Sequence, residues 1–169
     1  DGLTAVANRR KFDEELALDW RQCLREQTAL SVILIDVDHF KHYNDRYGHL
    51  KGDSALQAVA KALGSAIRRP YDLLARYGGE EFACVLPNTN LIDAVKIAEC
   101  MQAAVRALKL EHLDSAVGQV LTVSLGVATI VPTAGTTSAT VVAEADRQLY
   151  QAKQAGRARV SSCSLAEVR

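Results

Sequence analysis

Apolar residues recur along this chain at two spacings, one typical of helices and one typical of strands. A return every three or four positions predicts helices over residues 8–26, 40–47, 53–68, 91–108 and 141–155. Apolar runs or alternating positions predict strands over 31–38, 73–77, 82–86 and 120–130, the last with unlike faces, and an edge segment at 158–161. After the first helix, the order β-α-β-β-α-β predicts an α+β, ferredoxin-like fold with extra helices.

Polar and glycine residues mark where these elements begin and end. Asn8 is the expected N-cap of the first helix, and Asp53 or Ser54 is the expected N-cap of the third. Gly48 is expected to end the helix that precedes it. Gly78-Gly79, between the two strands of a hairpin, predicts a turn on a two-residue loop.

Composition indicates one globular domain spanning residues 1–169. The chain is 49% hydrophobic and 24% charged, and its 20 basic residues balance its 20 acidic ones. Because the net charge is zero, neither a nucleic acid polymer nor a membrane surface is an expected partner. Any phosphate site must therefore be formed by a local group of residues. Four dispersed cysteines are interpreted as reduced core thiols of a cytosolic protein: Cys23, Cys84, Cys100 and Cys163. With no signal peptide, no spanning run and a start at Asp1, we expect a cytoplasmic domain excised from a longer protein, which could itself be membrane-anchored.

Carboxylates follow the first predicted strand and the glycine turn. Asp36 and Asp38 close the buried strand, and Glu80 and Glu81 follow the glycines. In a split βαβ fold these places come close together, and four neighbouring carboxylates would repel one another without divalent cations such as Mg²⁺ or Mn²⁺. Glycine at the tip lets a polyanion approach the backbone. The pattern predicts metal-assisted phosphate chemistry; the alternative is an ordinary hairpin with solvated acids.

Six motifs in a fixed order make this chain similar to a known family over essentially its whole length. They are Asp1-x-Leu3-Thr4 with Asn8-Arg9-Arg10-x-Phe12; Asp36-x-Asp38-x-Phe40-Lys41-x-x-Asn44-Asp45; Tyr47-Gly48-His49 with Gly52-Asp53; Arg76-Tyr77-Gly78-Gly79-Glu80-Glu81-Phe82; Ser124-x-Gly126-Val127-Ala128; and Ala145-Asp146-x-x-Leu149-Tyr150-x-Ala152-Lys153-x-x-Gly156-Arg157. The chain resembles the GGDEF domain of diguanylate cyclases. The resemblance implies a palm of the nucleotidyl cyclase and polymerase type, and condensation of two GTP into cyclic di-GMP and two pyrophosphates between two facing subunits.

The resemblance also implies roles for individual residues. The implied Mg²⁺ ligands are Asp36, the Val37 carbonyl, Glu80 and Glu81. Glu80 is either the base for the ribose 3′-hydroxyl or only a metal ligand, and Asp38 either joins the carboxylates or orients others. The implied substrate contacts are Lys41, Gly78, Gly79, Lys153 and Arg157 for the triphosphate, and Asn44, His49 and Asp53 for guanine. Judged alone, Lys153 and Arg157 could be a solvated helix end.

Regulation and partners are implied as well. Arg69 and Asp72 match the RxxD motif, which would bind cyclic di-GMP as an allosteric inhibitor. Turnover would require a homodimer, brought together by an upstream sensor or receiver module. Ala5-Val6 departs from the Gly-Leu common in the family. Two alternatives remain: a non-catalytic GGDEF receptor for cyclic di-GMP or GTP, and an adenylyl cyclase-like or polymerase-palm-like enzyme.

Overall fold

Five helices and five strands lie along residues 1–165, the part of the chain that the computed structural model describes. In chain order they are α1 Arg9–Glu26, β1 Leu30–Val37, α2 Phe40–Tyr47, α3 His49–Ser65, β2 Leu73–Gly78, β3 Glu81–Pro87, α4 Leu91–Ala107, β4 Val123–Ile130, α5 Ser138–Gln154 and β5 Val160–Ser164. None of the helices within this range is both long and apolar enough to cross a membrane.

The strands form one sheet in the order β2-β3-β1-β4-β5. The first four are antiparallel, and β5 joins the edge of the sheet parallel to β4. This is the βαββαβ arrangement with an added helix at the front and a helix and strand at the end, so the predicted α+β palm fold is confirmed. Every residue of the central strand β1 is buried, as its β-branched run predicts.

Helices cover both faces of the sheet because successive side chains of a strand point to opposite sides. Ile33 and Ile35 of β1 belong to a core cluster with α3 and α4 residues such as Leu63 and Met101. Alternate β1 residues pack in a second cluster with residues of α1 and α5, among them Phe12 and Leu149. These four helices therefore contribute to the cores on the two faces of the sheet.

The start of α3 differs from the prediction. Gly48, not Asp53 or Ser54, is the N-cap, and its φ of +87° lets α3 follow α2 directly. Asp53 lies in the second turn of α3, and Ser54 Oγ donates back to the Leu50 carbonyl at 3.1 Å. The helix ends at Ser65 rather than at residue 68. Asp53 is thereby exposed and makes no capping bond.

Four further predictions are corrected by the structure. Strand β4 begins at Val123 and is buried on both faces, because α5 lies directly on its small residues. A Cβ on Gly126 would come within 2.2 Å of α5 backbone atoms. Helix α5 begins three residues earlier than predicted, and the edge segment is β5 rather than 158–161. Of the four cysteines, only Cys23 and Cys84 are core thiols, since Cys100 is exposed and Cys163 is partly exposed; all four are free.

Candidate active site

Two adjoining clefts open where β1 ends, beside the β2–β3 turn. The smaller cleft, of about 170 Å³, is lined by six of the predicted site residues: Asp36, Val37, Lys41, Glu80, Lys153 and Arg157. The larger, of about 530 Å³, is also lined by six of them: Lys41, Asn44, His49, Asp53, Gly79 and Glu80. Lys41 and Glu80 border both. The fold thus brings most of the predicted phosphate-side and base-side residues to two adjoining spaces, although Gly78 and Glu81 line neither cleft.

The turn between β2 and β3 is tied to the end of β1. Its two loop residues are Gly79 and Glu80, not the predicted Gly78-Gly79, because Gly78 still pairs in the sheet after a bulge. Gly79 has a φ of +43°, which favours glycine. The Arg76 Nε donates to the Gly79 carbonyl at 2.9 Å, and the Val37 N–H donates to the Glu80 carbonyl at 3.3 Å.

The N-terminal lead-in supports the same turn. Arg76 Nη1 lies 3.3 Å from Asp1 Oδ1, and that oxygen also accepts from the N–H and hydroxyl of Thr4, at 2.9 and 2.8 Å. The Arg76 N–H donates to the Ala7 carbonyl at 2.8 Å. Asp1 and Arg76 therefore hold the turn through the chain's first residues, a role that the presence of both in the motifs of the family resemblance could have indicated.

Asp36 is a buried carboxylate with one cationic partner. Lys153 Nζ lies 3.1 Å from its Oδ2. Burial raises the pKa of Asp36 to about 6, the Lys153 ammonium opposes that rise, and the negative charges of Glu80 and Glu81 add to it. Asp36 and Glu81 are directly paired across β1 and β3. Asp36, Glu80 and Glu81 therefore place three carboxylates near this end of the sheet, where a bound cation would reduce their mutual repulsion.

Asp38 does not join the other carboxylates, so of its two predicted roles the first is wrong and that of orienting other groups remains. Its side chain is turned into the protein, where it accepts from Ser124 Oγ at 2.6 Å and Thr122 Oγ1 at 2.8 Å. Within residues 1–165, no three His, Cys, Asp or Glu side chains are grouped closely enough to hold a metal ion. The oxygens of Asp36, Val37, Glu80 and Glu81 are nevertheless hard ligands of the kind that Mg²⁺ prefers, so the donor chemistry fits this ion.

The larger cleft holds an amide oxygen without a protein partner. Asn44 Oδ1 is buried and makes no hydrogen bond within the described residues. The side chain lies directly over Gly52, where a Cβ would come within 1.8 Å of Oδ1. His49 and Asp53, four residues apart, share one face of α3. Three polar side chains thus line the larger cleft, and one of them is the Asp53 carboxylate, which can accept from the N–H donors of a base.

Three positively charged side chains reach the smaller cleft from two helix ends. Lys41 lies in the first turn of α2, whose N-cap His39 has the left-handed φ of 52°. Lys153 and Arg157 lie in the last turn of α5 and just beyond it. Buried His112 Nε2 lies 3.0 Å from the His39 carbonyl and helps hold that strained residue. No local pattern marked His112, because its partner is 73 residues away in sequence.

The comparison with known families decides what this constellation belongs to. A family model described as "Diguanylate cyclase, GGDEF domain" matches residues 1–159. The chain belongs to the GGDEF domain family. The resemblance inferred from the motifs is thereby confirmed.

Relatives of this GGDEF domain include named cyclases and solved structures. The diguanylate cyclase DgcM of Escherichia coli is 40% identical over 161 residues, 95% of this chain and 37% of DgcM. The diguanylate cyclase VdcA of Vibrio cholerae is 37% identical over 95% of this chain and 45% of its own. The chain thus spans less than half of these curated relatives. The coiled coil and GGDEF domain of DgcB from Caulobacter crescentus, in complex with c-di-GMP, has a TM-score of 0.86 at 33% identity, covering 96% of this chain and 84% of DgcB's.

The RxxD pair of this GGDEF domain lies outside both clefts, at the other end of β2. Arg69 Nε and Nη2 donate to Asp72 at 2.9 and 2.7 Å. Nη2 also donates to the Pro87 carbonyl at 3.1 Å and to Thr89 Oγ1. The bond to Asp72 is the largest influence raising the pKa of Arg69. The Asp72 side chain is only 2% exposed and that of Arg69 33%, so the guanidinium is the accessible member of the pair.

Proposed function

We propose that this domain is a diguanylate cyclase, which condenses two GTP molecules into cyclic di-GMP and releases two pyrophosphates. The observation that carries the proposal is the pair of joined clefts: acceptors for a base line the larger, and cations with carboxylates line the smaller. A nucleoside triphosphate lying across Lys41 and Glu80 would place its base and its phosphates in separate, chemically suited spaces. The names of the relatives support the same activity.

Guanine is the base that this arrangement suits. The Asp53 carboxylate accepts hydrogen bonds only, and guanine offers an N1–H and a 2-amino group on one edge, which adenine does not. The Asn44 amide lines the same cleft and supplies a second polar group for the base. This preference argues against an adenylyl cyclase-like function. Asp53 is not the N-cap of α3, because the helix begins four residues before it, at His49.

The smaller cleft is proposed to hold the phosphates and Mg²⁺, or Mn²⁺ in its place. Asp36, the Val37 carbonyl, Glu80 and Glu81 would bind the ion, which when bound would neutralise phosphate charge and orient the triphosphate. Lys41, Lys153 and Arg157 would stabilise charge on the phosphate oxygens. The glycines Gly78 and Gly79 leave the backbone beside them open, since a Cβ at either would meet nothing within 4 Å.

In the proposed reaction, Glu80 accepts the proton of the ribose 3′-hydroxyl. The 3′-oxygen then forms a bond to the α-phosphorus of the opposite nucleotide, and the bond from that phosphorus to the pyrophosphate oxygen breaks. Two such transfers close the ring. Each chain offers one pair of clefts, so both transfers require two copies facing each other, brought together by an upstream sensor or receiver module.

Arg69 and Asp72 are proposed to bind the product as an allosteric inhibitor. The exposed part of the Arg69 guanidinium could donate to a guanine edge or a phosphate. Asp72 is buried against Arg69, so its contribution here is to hold the guanidinium rather than to contact product in this arrangement. A non-catalytic receptor is disfavoured because both acids of the turn are present. The proposed location of the domain is the cytoplasm.

Product analysis tests the proposal. The domain, fused to a dimerising coiled coil, is incubated with Mg²⁺ and either GTP or ATP, and the nucleotides are separated by chromatography. We expect cyclic di-GMP from GTP and no cyclic dinucleotide from ATP. The Glu80→Gln variant is expected to lose at least about 100-fold in rate. GTP left unchanged by the paired parent domain would refute the proposal.

A further inference from the structure

The turn that follows α5 is strained. Gly156, Arg157 and Ala158 have φ values of +115°, +61° and +47°, and two of them carry side chains that disfavour this region. The first part of the turn is closed by ordinary helix-end bonds, from the Arg157 N–H to the Ala152 carbonyl at 3.0 Å and from the Gly156 N–H to the Lys153 carbonyl at 3.3 Å. Such strain persists only where surrounding contacts hold it.

The contact that holds the second part comes from Asp38. Its Oδ2 accepts from the Ala158 N–H at 3.1 Å, in addition to the hydroxyl of Thr122, while Oδ1 accepts from Ser124. The carboxylate is 1% exposed. Arg159 Nε donates to the Arg157 carbonyl at 3.0 Å, so the peptide unit between residues 157 and 158 is bonded at both its oxygen and its N–H. Fixing that peptide unit fixes the backbone from which the Arg157 side chain leaves.

We propose that Asp38 is a positioning residue, which holds the turn 156–158 so that Arg157 reaches the smaller cleft and binds the triphosphate. The inference rests on the proposed function, because it assigns Arg157 to the phosphates of GTP. It does not make Asp38 a ligand of metal or substrate. Burying a carboxylate among neutral donors costs folding free energy. The proposed role of the turn in binding substrate explains why such a carboxylate is present.

Holding the turn depends on the carboxylate group of Asp38 as well as on the volume of its side chain. Three donors, two hydroxyls and one N–H, converge on two oxygens that only accept. In Asp38→Asn one oxygen becomes an NH₂ group that only donates. The amide would face either a hydroxyl, which can rotate, or the Ala158 N–H, which cannot accept. In the first case the Ala158 N–H keeps only a neutral amide oxygen, a weaker acceptor than a carboxylate, and in the second case it loses its acceptor. The substitution is therefore expected to loosen the turn while changing the side-chain volume little.

Binding measurements separate this role from general stability. Affinity is measured by calorimetry for guanosine 5′-(α,β-methylene)triphosphate, which cannot release pyrophosphate, and for GMP, each with Mg²⁺. We expect Arg157→Ala and Asp38→Asn each to weaken triphosphate binding about tenfold and to leave GMP binding unchanged. The double variant should bind the triphosphate no more weakly than Arg157→Ala alone, because both changes remove the same contact, that of Arg157 with the phosphates. Exchange of the Ala158 amide hydrogen should be faster in Asp38→Asn.

Ser31→Ala is the matched control. Ser31 is a fully buried polar residue of the same strand, bonded to the Thr89 carbonyl at 2.7 Å and to Thr129 Oγ1 at 2.6 Å, away from both clefts. It should lower the melting temperature without changing either affinity. If Asp38→Asn does not fold, Ser124→Ala decides: it should cause a smaller loss for the triphosphate and none for GMP.

The outcomes distinguish the inference from the function on which it rests. Normal triphosphate affinity in Arg157→Ala would overturn the assignment of Arg157, and with it the inference. A loss in Arg157→Ala but not in Asp38→Asn, or losses that add in the double variant, would overturn the positioning role alone. Equal losses for the triphosphate and GMP in Asp38→Asn would show general damage and also count against it.

Discussion

Gly52→Ala should weaken guanine binding while making the helix more stable. Gly52 is buried in α3, and a Cβ there would lie 1.8 Å from Asn44 Oδ1 and 2.9 Å from its Cγ. Since non-bonded heavy atoms require more than 3 Å, the Asn44 amide must move by roughly 1.5 Å. A hydrogen bond of normal length to the base would then be lost, at a cost of about 1–3 kcal/mol, or roughly 5- to 150-fold in affinity.

The stability of the fold should change in the opposite direction. Alanine is favoured over glycine inside a helix by about 1 kcal/mol, and the obstructing atoms belong to a side chain that can turn away. Gly64→Ala is the control on the same helix, because its Cβ would meet only Leu74 Cδ2, at an ordinary 3.9 Å. Both variants should unfold at higher urea concentration than the parent, and only Gly52→Ala should bind GMP more weakly.

Calorimetric titration with GMP and AMP, beside urea unfolding, measures both effects. The reasoning would be refuted if Gly52→Ala bound GMP as tightly as Gly64→Ala. It would also be refuted if affinity fell only together with stability, because the loss would then reflect a damaged helix rather than a displaced Asn44.

Three other changes have expected outcomes. Burial raises the pKa of Asp36 to about 6, so the folded state binds the proton more tightly than the unfolded chain does. The stability that this proton adds is fully present below the unfolded pKa near 3.8 and is lost as the pH rises through 6. Without Mg²⁺, Asp36→Asn should therefore stabilise the fold by about 1–3 kcal/mol at pH 8 and by little at pH 4, as urea titrations at both pH values would show; an equal effect at both would contradict the assignment. Ala5→Gly should raise stability by about 1 kcal/mol in urea, because Ala5 has a φ of +60° where the family commonly has glycine, and a lower midpoint would argue against strain there. Arg69→Ala should raise the concentration of cyclic di-GMP needed for half-inhibition of synthesis, and equal inhibition constants in variant and parent would count against the RxxD site.

Local signals were sufficient for much of this fold. The apolar run of β1 and the Asn8 cap of α1, whose side chain accepts from the Lys11 N–H at 2.9 Å, depend on neighbours in sequence. The order of elements then placed Asp36 beside the glycine turn, and Asp36 pairs with Glu81. Sequence therefore predicted which segments form the clefts.

Other features depend on partners far along the chain. Both Gly48 and Asp53 were possible N-caps of α3 from the local sequence. The helix begins after Gly48, and in this arrangement Gly52 packs closely on Asn44. The two predicted roles of Asp38 stayed open because strand alternation gives no information on hydroxyls 84 and 86 residues away. Gly126 belongs to a strand predicted to have unlike faces, although α5 backbone atoms pack directly against it.

The central claim, that two GTP-loaded copies react with each other, is tested most directly by the dependence of synthesis on protein concentration. Cyclic di-GMP formed per chain and unit time is measured for the unfused domain over a hundredfold range of concentration, at saturating GTP and Mg²⁺. We predict that this specific rate rises in proportion to concentration while most chains are monomeric, and levels off where dimers form. A specific rate that is constant across the range, with chains shown to be monomeric throughout, would contradict the account.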